Sequence, residues 1–87
     1  MKYINIEVRP EDAVGAIPYN SQYCPVARAL KRTYPLVSLD DIHVGTRQLV
    51  LKERKYLHSH KLSEVIATYD ETGEFHYATY RAFLIDE

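Results

Sequence analysis

From Lys2 to Val8 the chain alternates, with Ile4, Ile6 and Val8 opposite Tyr3, Asn5 and Glu7. A period of two predicts a half-buried strand. Pro10 ends it. A polar connection runs on to Gln22, broken by Gly15 and Pro18, and within it "PEDAVG" fits one helical turn with Pro10 at the first position. At Cys24-Pro25 the spacing changes. Tyr23, Val26, Ala27, Leu30 and Tyr34 recur at three- and four-residue steps, with Arg28, Lys31 and Arg32 off that stripe. This predicts an amphipathic helix that opens on Pro25 and is stopped by Pro35.

Short β-prone pieces follow at 36–39 and 42–44, and Gly45-Thr46 leads into "RQLVLKE", a strand. "HSHKLSEVIATYDETG" then predicts a second helix. Ser59 stands where a cap belongs, Leu62, Val65, Ile66 and Tyr69 share a face, and Gly73 lies just past its end. Residues 75–85 are aromatic and apolar on both faces, the pattern of a central strand. The order β, α, short β, β, α, β predicts an α+β fold, a small mixed β-sheet with two helices packed on one face. With 87 residues and no repeat or linker, we expect a single domain spanning 1–87.

The remaining totals narrow the classes. A lone cysteine makes no internal disulfide, which small secreted domains usually need. The start lacks the apolar run of a signal peptide, and no stretch approaches the roughly 18 residues of a membrane span. We therefore expect a soluble, cytoplasmic protein with no membrane partner. A net charge of −1 argues against binding dominated by phosphate contacts. It also hides an asymmetry. Between residues 47 and 61, Arg47, Lys52, Arg54, Lys55 and Lys61 face only Glu53, whereas residues 62–87 hold six acids against Arg81. Either two charged faces meet within the fold, or 47–61 is a basic surface patch.

Candidate chemistry is sparse. A thiol at a helix start has its pKa lowered by the dipole, but no His or Asp near Cys24 in the chain supplies a base. We expect Cys24 to be a buried plug. His58 and His60 are spaced to point the same way in an extended stretch, but zinc wants four ligands and nothing in the spacing provides them. Asp40-Asp41 and Asp70-Glu71 flank turns, where acids favour solvent. No phosphate-cradling glycine loop occurs. We expect no enzyme activity, no cofactor and no metal. The eight tyrosines are the unusual feature. "RKYLHSHK" and "FHYATYRAF" interleave aromatics with bases, as single-strand nucleic-acid binders do, and tyrosine also favours protein interfaces.

Taken together, "INIEVRPEDAVGA", "CPVARALKR" and "LSEVIATYDETGEFHYATYRAFLID" resemble a group of small uncharacterised proteins encoded mainly by bacteriophages and prophages. The resemblance is most specific at Cys24 to Leu30 and weakest between Tyr34 and Lys61. It carries no activity with it and implies a phage context, in which small accessory proteins commonly bind and block a host protein, including defence systems such as CRISPR effectors. The expectation is a non-enzymatic host-protein binder, and the alternative is a nucleic-acid-binding accessory. Two places combine aromatics with polar or cationic groups: the turn holding Tyr19 and Tyr23, and the stretch Arg54, Lys55, Tyr56, His58 and His60. Excess charge favours the second.

Overall fold

The computed structural model describes residues 2–85. Five strands form one sheet: β1 (Tyr3–Glu7), β2 (Ile42–Val44), β3 (Gln48–Leu51), β4 (Arg54–His58) and β5 (Thr79–Leu84). Their order across the sheet is β1-β5-β4-β3-β2. With α1 (Pro10–Ala13), α2 (Pro25–Thr33) and α3 (His60–Thr72), this is an α+β fold. The sheet is antiparallel at every pairing, where the pattern predicted a mixed one. The path of the chain explains the correction. Residues 73–78 return along α3, where Glu74 and His76 share a cleft with Thr68, Val65 and Lys61. The chain thus reaches the end of β4 before turning into β5.

Both longer helices start and stop where local chemistry directs. Cys24 caps α2 through its sulfur, which accepts from the Ala27 N–H at 3.4 Å, and Pro25 occupies the first helical position. Ser59 Oγ accepts from the Leu62 N–H at the start of α3. Gly73 closes it in the left-handed region, at φ 79°, with its N–H donating to Tyr69 O. The apolar faces of both helices, Val26, Ala27 and Leu30 on α2 and Leu62, Val65, Ile66 and Tyr69 on α3, lie in one core. Tyr23, predicted on the α2 stripe, falls before the helix and is exposed.

One face of the sheet completes that core. Ile6 lies beside Tyr80, Leu49 between Val44 and Tyr56, and Ile42 beside Leu51. Residues 75–78 are not strand, although Phe75 is buried against the rings of Tyr69, Tyr77 and Tyr80. β5 is flanked by β1 and β4, yet only alternate residues are covered: Tyr80 and Ala82 point in, Thr79 and Arg81 out. β5 is an interior strand of the sheet, as expected, and among the described residues no helix covers its second face.

The expected single strand at 47–53 is a hairpin. β3 and β4 are joined by Lys52 and Glu53 alone, at φ 52° and 68°. Two consecutive left-handed residues make the turn whose twist matches paired strands, usually built from Asn and Gly. The free side of β2 is partly closed by the chain itself, where the Val44 N–H donates to Ser21 O at 2.8 Å. No helix among the described residues is long and apolar enough to cross a membrane.

Candidate functional site

The sequence placed two candidate sites, and the structure treats them differently. The stretch 54–58 is β4, so its side chains alternate across the sheet. Tyr56 and His58 point into the core, while Arg54, Lys55 and Leu57 are exposed. Tyr56 and His58 therefore offer a partner no surface. The cause is the strand period, which the interleaved cations disguised. His60 is exposed on the first turn of α3, 3.0 Å from Glu64.

His58 is instead a core residue, 5% exposed. One ring nitrogen, Nδ1, is 3.1 Å from Thr46 O, an arrangement in which Nδ1–H donates and Nε2 is left buried without a partner. Burial pushes its pKa below the ordinary value, with the Thr46 contact opposing more weakly. The neutral imidazole is the form this site accepts. Among the described residues no group of three or more His, Cys, Asp or Glu is placed to hold a metal.

Cys24 is also buried, and burial raises its thiol pKa despite the nearby backbone amides. A raised pKa and no access are the opposite of what a nucleophile requires. Asp12, 4% exposed, is paired rather than reactive. It accepts from Arg32 Nε at 3.1 Å and Nη2 at 3.0 Å, and from the Arg9 N–H at 2.8 Å. This fork clamps α1 to α2.

Residues 14–23 form the more unusual surface. Val14 (71% exposed), Ile17, Tyr19 (77%) and Tyr23 all stand out of the fold on one connection. The connection is ordered by its own hydrogen bonds: the Ile17 N–H donates to Tyr23 O at 2.9 Å, and Asn20 Oδ1 accepts from the Gln22 and Tyr23 N–H groups. Tyr19 sits at φ 57°, a region a bulky residue rarely occupies. Its N–H donates to Asp70 Oδ1 on α3 at 2.9 Å, which pins the loop to the body. Beside the loop a cleft of about 520 Å³ is lined by residues that include Gln22, Tyr23, Arg28, Lys31, Arg32 and Leu39.

The second surface, which sequence reasoning missed, is the uncovered sheet face. Register places Tyr3 beside Phe83, Phe83 beside Leu57, and Leu57 beside Gln48, one row across four strands. Arg81 lies next to Asn5 in the adjoining row and carries its guanidinium 4.5 Å above the Tyr3 ring. Val50 and Lys55 pair on the same side. Among the described residues the two charged halves of the sequence form no ion pair with each other through a lysine or arginine. Among the described residues, none of Arg47, Lys52, Arg54, Lys55 or Lys61 is in an ion pair.

Fold and surfaces together define a small α+β protein with buried polar groups devoted to packing and with two exposed aromatic surfaces. No protein-family model, curated protein or solved structure matches the chain.

Proposed function

We propose that this is a non-enzymatic phage accessory protein that binds and modulates a host protein in the host cytoplasm, with loop 14–23 as its main contact. The observation that carries this is Tyr19. Holding a tyrosine in the left-handed region costs roughly 1–2 kcal/mol. The fold sustains that conformation through the Asp70 bond, only to leave the residue 77% exposed. Backbone strain that serves no packing purpose is typical of recognition sites. Rigid aromatics such as Tyr19 and Tyr23, flanked by apolar Val14 and Ile17, are the side chains that dominate interface energetics. Arg54 and His60 add exposed polar groups suited to an acidic rim. The phage resemblance at Cys24–Leu30 makes a defence protein, such as a CRISPR effector, the class of partner to try first.

Tyr19→Asn tests the loop, because asparagine tolerates the left-handed region and leaves the backbone unstrained. The variant should melt no lower than the parent. A host protein retained by the tagged parent should be lost from the variant. Retention of the same protein by both would remove Tyr19 from the contact. Retention of none by the parent would sink the protein-binding reading.

A further inference from the structure

We propose that the uncovered sheet face is a second, separate site, which takes a short run of single-stranded nucleic acid. Tyr3, Phe83 and Leu57 lie on three adjacent strands. Neighbouring strands are about 4.8 Å apart, so this row spans roughly 10 Å of largely apolar platform. Antiparallel sheets that read single-stranded RNA use such aromatics to stack two or three bases. The ring of Phe83 meets that of Tyr3 edge-on at 6.0 Å.

Charge selects this occupant over a protein. Lys55 and Arg81 stand on the face itself. Beside Phe83 and Arg81 opens a cleft of about 350 Å³ whose walls include Lys61, Ser59 and His76. Lys55, Lys61 and Arg81 thus put three cations along one path, and among the described residues none is in an ion pair. Among the described residues, the carboxylate on the face is that of Glu7, at its margin and held by Arg9 at 3.1 Å. Arg81 lies over Tyr3, where its guanidinium can serve either a phosphate or a base face. Aromatics stacked beside uncompensated cations are what single strands recognise without reading sequence. Three phosphate contacts are a small footprint, which fits a chain of net charge −1.

The test is fluorescence anisotropy with labelled oligothymidylate and oligouridylate of about 12 nucleotides, titrated at several salt concentrations. Three phosphates predict that log K falls against log salt with a slope of about −2. Comparable binding of both oligomers points to the shared phosphate and base chemistry. A preference for one identifies DNA or RNA as the source.

Phe83→Ala should weaken binding five-fold or more, as loss of a stacking partner does. Since Phe83 is half-buried, its variant is read beside Lys55→Glu, an exposed change with no packing to lose. Lys55→Glu should both weaken binding and flatten the salt slope. Absence of binding, a salt-independent affinity, or an unchanged affinity in folded Lys55→Glu would each overturn the proposal. So would a protein partner lost through these variants while neither oligomer binds.

Discussion

At the scale of single residues, the groups with chemistry in them are spent on packing. Cys24 both caps α2 and fills the core beside it. A thiol reagent at neutral pH should label the folded protein far more slowly than the unfolded chain. Cys24→Ala should lower stability by about 1 kcal/mol, the loss typical of a missing cap. Rapid native labelling would contradict both the burial and the raised pKa. His58 makes a different prediction. Its folded pKa lies below the ordinary 6.5, so in the interval between them the unfolded chain binds a proton that the folded chain refuses. Stability is therefore full above about 6.5 and falls as the pH drops through that interval. Melting temperatures between mildly alkaline and mildly acidic buffer should show this slope, and His58→Leu should diminish it.

At the scale of elements, the β3–β4 hairpin is where sequence and structure part. Lys52→Asn with Glu53→Gly supplies residues that favour the left-handed region, and should raise stability by roughly 1 kcal/mol in chemical denaturation. An unchanged or lower midpoint would show that the turn is not strained. That same turn explains what the sequence concealed. The helices were legible because each carries a local start and stop, Pro25 and Pro35 for α2, Ser59 and Gly73 for α3. β4 was not, since Lys-Glu carries none of the usual marks of a two-residue turn. Without the turn, "RKYLH" reads as a basic approach to a helix, and Tyr56 and His58 pass for surface groups. Tyr19 and Tyr23 could be singled out from composition as exposed aromatics in a polar turn. The sheet face could not, because Tyr3, Leu57 and Phe83 are distant in sequence and become neighbours only through the register of three strands.

At the scale of the whole molecule, the two aromatic surfaces are built from different elements and should fail independently. Tyr19→Asn should abolish capture of a host protein and leave oligonucleotide affinity untouched, while Lys55→Glu should weaken the oligonucleotide. If Tyr19→Asn weakened both, the loop and the sheet would have to be one continuous contact. The basic segment 47–61 contributes less as a patch than its composition implies. Strand alternation sends Lys55 to the open face, while the helix start sends Lys61 to the cleft beside Phe83.

The bond from the Tyr19 amide to Asp70 joins positions 51 residues apart. A link of that span closes only when nearly the whole chain is already in place, since α3 must be docked before its carboxylate can receive the loop. The aromatic surface is therefore among the last features to mature on folding. A chain still emerging from the ribosome lacks it, and so does one whose α3 has come loose. On the proposed reading, recognition through Tyr19 would be self-proofreading, because a partner gripping it would select finished copies over unfinished ones.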